Sequence, residues 1–75
     1  MEKFAITVVR DKEVFHFEVV DQEKDRCEFE VYQHGKLVCT FEPNEDEYIR
    51  ICRNQGGLDE EVIYMIADKI EAHHL

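Results

Sequence analysis

The sequence predicts a two-layer α+β domain, in which an antiparallel β-meander of four to five strands, in the order 1-2-3-4-5, carries one C-terminal helix on one face. Three observations predict it: apolar and polar residues alternate along most of the chain, short turn-forming segments interrupt the alternation, and the last quarter has helical periodicity. The expected strands cover about residues 3–10, 13–20, 26–32, 36–42 and 48–52, and the expected helix about 59–73. A chain of 75 residues has room for a single domain, residues 1–75.

The first hairpin is the clearest. Phe4, Ile6 and Val8 precede a turn at Asp11-Lys12, and a second alternating stretch follows it. Facing residues of an antiparallel pair have residue numbers of constant sum, and core residues must face core residues. That condition predicts the pairs Val8–Phe15, Ile6–Phe17 and Phe4–Val19.

The same arithmetic predicts the remaining pairs. A five-residue loop over 21–25 joins the second and third strands. A two-residue turn at His34-Gly35 would place Val31 opposite Val38 and split the core between two faces, so we expect a three-residue loop with Gly35 at positive φ in a G1 bulge. Residues 43–46 are of types that favour turns, and they precede the last strand. The expected pairs are Phe17–Phe29, Val31–Leu37 and Phe41–Ile49.

The helix has clear start signals. Asp59 is a good N-cap, Glu60 and Glu61 occupy the first turn, where the helix dipole favours carboxylates, and Leu58 and Ile63 have the spacing of a hydrophobic staple. One apolar stripe should pack on the sheet; it consists of Val62, Ile63, Ile66, Ala67 and Ile70.

Charge restricts the partners. Eighteen acidic and nine basic residues give a formal charge of −9, which repels the phosphates of nucleic acids and anionic lipids. Neither nucleic acid nor a membrane is therefore expected as a partner, whereas a basic protein is. The sequence has no apolar run long enough to span a bilayer and no signal-peptide pattern at its start, and we expect a cytoplasmic protein.

The cysteines are predicted to be reduced. Their number is odd, and no CxxC pair occurs. We expect Cys27 and Cys39 to point into the core and Cys52 to face outward, where a thiol reagent would label it first. The histidines at positions 16, 34, 73 and 74 show no zinc spacing. No metal or other cofactor is expected.

The sheet face opposite the helix is the candidate interaction face, and its predicted members are Val9, Val14, His16, Glu18, Glu28, Glu30 and Tyr32. The predicted register sets Glu18 opposite Glu28 and His16 opposite Glu30, an arrangement that invites a cation. The alternative is a solvated face whose carboxylates pair with arginines. This face is also more apolar than a solvated surface needs, which favours burial against a second copy or a partner; the residues concerned are Ala5, Thr7, Val9, Val14, Val20, Tyr32 and Val38.

The leading hypothesis is a small non-enzymatic interaction protein, acting as a homodimer or as an acidic ligand of a basic protein. One alternative is a binder of a small molecule or metal at the outer sheet face. Another is an immunity or antidote protein whose acidity neutralises a basic toxin. No catalytic residue is predicted, because no pair of suitable groups is placed in a cleft.

Several segments resemble a family of short bacterial proteins of unassigned function. They are residues 27–31 (CEFEV), 35–38 (GKLV), 41–43 (FEP), 51–54 (ICRN), 57–61 (GLDEE) and 66–71 (IADKIE). The resemblance covers about two-thirds of the chain and carries no catalytic motif. It implies a stand-alone bacterial cytoplasmic protein and leaves the function open.

Overall fold

The computed structural model describes residues 2–23, 26–43 and 48–74, with the side chain of His74 outside the described part. Its elements are β1 (Glu2–Arg10), β2 (Glu13–Asp21), β3 (Phe29–Gln33), β4 (Lys36–Pro43), β5 (Ile49–Arg53) and α1 (Glu60–His74). The strands form one antiparallel sheet in the order β1-β2-β3-β4-β5, which confirms the predicted fold class. Apart from Pro43, the turn predicted over residues 43–46 lies outside the described residues.

The β1–β2 hairpin has the predicted register. Asp11 and Lys12 both adopt positive φ, 48° and 69°, the backbone of a type I′ turn. Val8 lies opposite Phe15, and Ile6 lies opposite Phe17.

The predicted β2–β3 register is wrong by four residues. Val19 lies opposite Val31, and Asp21 lies opposite Phe29. The reason is the length of the connection: β2 continues to Asp21, β3 begins at Phe29, and the Gln22 N–H donates to the Glu28 carbonyl at 2.8 Å. An even shift keeps the paired residues of β3 on their predicted faces, because side chains alternate with a period of two.

The third hairpin uses the two-residue turn that the sequence argument rejected. His34 and Gly35 have φ of 53° and 78°, so the positive φ predicted for Gly35 is confirmed. Tyr32 lies opposite Leu37 and Val31 opposite Cys39, which leaves Val38 as an extra residue on β4. This bulge restores the match between core residues that the tight turn alone would destroy, and the predicted G1 bulge with Val31 opposite Leu37 is wrong.

The last pairing also contains a bulge. Phe41 lies opposite Ile51, two residues from the predicted Ile49, and Thr40 lies opposite Arg53. Cys52 is therefore the extra residue on β5. One bulge lies on β4 and the other on β5, so both pairings of β4 are interrupted.

The helix packs on the inner face of the sheet, and all five residues of its predicted stripe are buried. At its start the Glu61 N–H donates to the Asp59 carboxylate at 2.9 Å, as expected of an N-cap. Arg10 reaches the same carboxylate at 3.1 Å and that of Glu61 at 3.2 Å. The backbone hydrogen bond from Glu61, together with Arg10, lowers the pKa of Asp59.

At the other end of the helix, the His73 ring stacks on Phe4 with ring centroids 3.7 Å apart, and its Nε2 lies 3.2 Å from the Glu2 carboxylate. The helix therefore lies along β1, with contacts at both ends. No helix in the described ranges has the length and apolarity that crossing a membrane requires. The most deeply buried side chains are Phe41, Ile66, Ile70, Val8, Val19, Val31 and Cys39.

Candidate functional site: the outer sheet face

The outer face is the sheet surface opposite α1. Residues that alternate with the core positions of β1 and β2 form its exposed part. These exposed residues are Lys3, Ala5, Thr7, Val9, Val14, His16 and Glu18.

Two valines form an apolar patch at the hairpin end of this face. Val9 and Val14 are directly opposite each other and are 58% and 53% exposed. The predicted patch was larger, but Val20 and Val38 are buried. Val38 is closed off by the β5–α1 connection, where the Gly56 N–H donates to the Val38 carbonyl at 2.8 Å. Val9 and Val14 are therefore the exposed valines of the predicted patch.

The expected row of opposed carboxylates does not form. Glu18 lies opposite Tyr32 and not opposite Glu28, and Glu30 lies opposite Val20 and not opposite His16. The four-residue shift between β2 and β3 is the cause. The exposed imidazole Nδ1 of His16 is 3.4 Å from the Thr7 hydroxyl, so His16 contacts its β1 neighbour.

Glu30 belongs to a polar network on β3. Its carboxylate accepts hydrogen bonds from the Gln22 side chain at 2.8 Å and from the Tyr32 hydroxyl at 3.2 Å. Burial and the neighbouring Glu30 raise the pKa of Tyr32, so the phenol stays a hydrogen-bond donor. This network links the residue that follows Asp21 to two side chains of β3.

Glu28, a predicted member of the face, lies in the β2–β3 loop and is half-buried. Burial raises its pKa to about 7, and the hydrogen bond with Asp21 and the charges of Asp21 and Glu23 add to the effect. Two carboxyl groups that share a confined site cannot both ionise easily. Glu28 therefore keeps its proton to a higher pH than an ordinary glutamate, and its side chain is hydrogen-bonded to the buried Asp21.

Two of the three cysteine predictions are wrong, and both concern residues near β5, the edge strand opposite β1. Cys27 and Cys52 form a disulfide with a Cα–Cα distance of 6.1 Å. The predictions of a reduced Cys27 in the core and of a reduced, reagent-accessible Cys52 are therefore wrong. Cys27 lies in the β2–β3 loop because β3 begins two residues later, and Cys52 is the bulged residue of β5. Cys39 is the buried free thiol, as predicted, and burial raises its pKa to about 12.

Glu42 of β4 lies beside this disulfide. One carboxylate oxygen and the two sulfur atoms all lie within 4.8 Å of one another. Glu42 accepts hydrogen bonds from the Arg50 Nη2 at 2.6 Å and Nε at 3.1 Å, and Arg26 Nε is 3.6 Å away. Glu42 is thus an outer-face carboxylate paired with arginines, the predicted alternative for this face, whereas the meeting of the two cysteines beside it was not predicted.

Two grooves border the outer face. The larger, of about 660 Å³, is open and mixes charge signs and apolar surface; it includes Lys3, His16, Glu18, Val20, Tyr32 and His34. The smaller, of about 330 Å³, runs between the β1 edge and the helix and is lined by Thr7, Val8, Val9, Met65, Asp68 and Lys69. The smaller groove therefore lies directly beside the edge of β1 that faces away from β2.

Together these features define a small α+β protein with an open sheet face, in which β1 is an edge strand of the described sheet. Comparison with protein-family models, curated proteins and solved structures finds no match. The suggested kinship with short bacterial proteins therefore stays a prediction.

Proposed function

We propose that the chain is a non-catalytic interaction module that binds through the edge of β1, and that its partner is a second copy of itself. One observation carries the proposal. β1 is an edge strand, and the segment from Phe4 to Val9 contains no charged residue in a chain whose net charge is −9.

The backbone of β1 supports strand addition. Arg10 and Glu13 flank a two-residue turn and so form a hydrogen-bonded pair, and such pairs alternate along an antiparallel ladder. The N–H and C=O groups of Lys3, Ala5, Thr7 and Val9 therefore point away from β2. Natural edge strands are usually protected by charges, prolines or bulges, and residues 4–9 contain no charge or proline and lie in unbroken register.

Charge favours this edge as the contact between two acidic chains. β1 contains Lys3, Arg10 and Glu2, so its formal charge is +1. Two copies related by a two-fold axis can pair with Ala5 opposite Thr7, which sets Glu2 of each copy opposite Arg10 of the other. The repulsion from the remaining acidic surface is long-ranged and weakens with salt, so we expect association to strengthen as salt is added.

Sedimentation across a range of concentrations and salt tests the proposal. Ala5→Pro removes an outward N–H without breaking the ladder to β2, and it is expected to abolish the dimer. Ala5→Ser keeps the donor and is the matched control. Val9→Asp and Val14→Asp are expected to weaken the dimer while leaving the monomer folded, whereas Gln55→Asp adds the same charge to an exposed loop and should have no effect.

A monomer at high concentration, in both low and high salt, would contradict self-association. Co-purification with a basic protein, sensitive to Ala5→Pro, would then identify the same edge as the site of an acidic ligand. Association that is equally strong in Ala5→Pro and Ala5→Ser would place the interface elsewhere.

The larger groove supports a second candidate function. Its cationic and anionic side chains, including Lys3 and Glu18, suit a small polar molecule that carries both charge signs. Such a ligand would raise the melting temperature, and Glu18→Gln would reduce that increase, whereas Glu13→Gln, on an exposed residue outside the groove, would not. A metabolite panel without any shift would exclude this function for the compounds tested.

A further inference from the structure

The Cys27–Cys52 disulfide and Glu42 place three strong metal-binding side chains at one point of the fold. Their ligand atoms lie within 4.8 Å of one another, and all three residues are half-buried. They come from the β2–β3 loop, β4 and β5, so the tertiary structure brings together residues that no local sequence spacing would connect. The Glu42 side chain is only 13% exposed.

We propose that reduction of this disulfide creates a binding site for one zinc ion, held by Cys27, Cys52 and Glu42. The cluster then has two alternative closed states, an oxidised one in which the sulfurs bond each other and a reduced one in which they bind zinc. This proposal is independent of the proposed function at the β1 edge.

The reaction balances with a dithiol as reductant. The dithiol supplies two electrons and two protons, the S–S bond breaks, two thiols form, and the dithiol leaves as its cyclic disulfide. Zinc then binds the two sulfurs as thiolates, and the two thiol protons are released to solvent. A water molecule occupies the fourth position, as in open zinc sites with three protein ligands.

The geometry allows this exchange with small movements. A Zn–S bond of about 2.3 Å and a tetrahedral angle require the sulfurs to lie about 3.8 Å apart, and the Cα separation of 6.1 Å allows this by side-chain rotation. Cys27 belongs to a loop, and Cys52 is the bulged residue of β5. Neither movement therefore requires a paired ladder position to open.

Ligand type and charge favour zinc. Thiolates are soft ligands that prefer zinc to magnesium or calcium. Two thiolates and one carboxylate carry three negative charges, and zinc neutralises two of them. Arg26 and Arg50, which already contact Glu42, lie close enough to offset the third. The arginines also hold the carboxylate on the side of the cysteines.

Cobalt binding tests the site, because thiolate-bound Co²⁺ has a charge-transfer band in the near ultraviolet. The full chain is reduced with a dithiol, desalted without oxygen and titrated with Co²⁺, followed by Zn²⁺ competition. The reduced protein is expected to bind one ion and the oxidised protein to show no such band. Glu42→Gln is expected to weaken binding by about tenfold or more, the scale on which ligand-shell changes act. Glu13→Gln, on an exposed residue of β2, should bind like wild type.

Circular dichroism during the titration distinguishes a folded site from two thiols in an unfolded chain. If the reduced chain loses structure, zinc should restore it in wild type and less effectively in Glu42→Gln. Three results would overturn the proposal: no charge-transfer band in the reduced protein, equal affinity in Glu42→Gln and wild type, or a band that survives in Cys27→Ser/Cys52→Ser.

Discussion

The disulfide allows a quantitative stability prediction. The cysteines are 25 residues apart in sequence, and closing a loop of that size in the unfolded chain corresponds to about 3.5 kcal/mol at room temperature in the chain-entropy model. Cys27→Ser/Cys52→Ser should therefore lower the free energy of unfolding by about 3.5 kcal/mol and the melting temperature by roughly 14–28 °C. A domain of this size has only about 4–11 kcal/mol in total, so the loss is large.

Urea unfolding with and without a dithiol, in the presence of a chelator, measures the effect. Reduced wild type should match the double variant, and the double variant should not respond to the dithiol. A wild type whose unfolding curve is unchanged by the dithiol, or a loss below about 1 kcal/mol, would refute the reasoning. The chelator is required because bound zinc would mask the loss.

Three further changes test other parts of the fold. Burial and a neighbouring carboxyl raise the pKa of Glu28 from 4.5 to about 7, so the stability that its proton contributes is complete below about pH 4.5 and is lost as the pH rises through about 7. Urea curves should lose this pH dependence in Glu28→Gln, and an unchanged slope would contradict the assignment. Gly56→Ala would place its Cβ 2.9 Å from the Val38 Cβ, and we expect a loss of about 1–3 kcal/mol in thermal unfolding, against little change in Gln55→Ala. Asp59→Ala should lower the melting temperature because it removes the helix cap, whereas Asp59→Asn keeps a capping oxygen and should lose little of the melting temperature. Equal melting temperatures of the two variants would argue against the cap.

The sequence predicted the sheet order because alternation and turn chemistry agree along the chain. It predicted the β1–β2 register because a two-residue turn at Asp11-Lys12 leaves one possible pairing. It failed at β2–β3, where the long loop is held by Asp21 and Glu28, whose interaction has no local sequence signature. The predicted β3–β4 register is also wrong, because the bulge at Val38 shifts the pairing by one residue. Such a bulge can be recognised only once the partner strand and its register are known.

The candidate site was predicted in part for the same reason. Val9, Val14 and Glu18 face outward because side-chain alternation within a strand is a local property. The meeting of Cys27 with Cys52 depends on where β3 begins and on which residue of β5 is bulged. Neither is encoded by spacing, and the odd number of cysteines pointed towards free thiols.

The docking of α1 along β1 has a consequence for the order of folding events. Glu2 and His73, which meet at one corner of the molecule, are 71 residues apart in sequence, and closing a loop of that length costs about 4 kcal/mol of chain entropy. The hairpins close over much shorter distances, so we expect the meander to form first and the helix to dock last. A circular permutant that joins the two ends by a short linker and opens the chain at the turn between β1 and β2 would make the helix contacts of β1 local. Such a chain should collapse by a different route to the same fold.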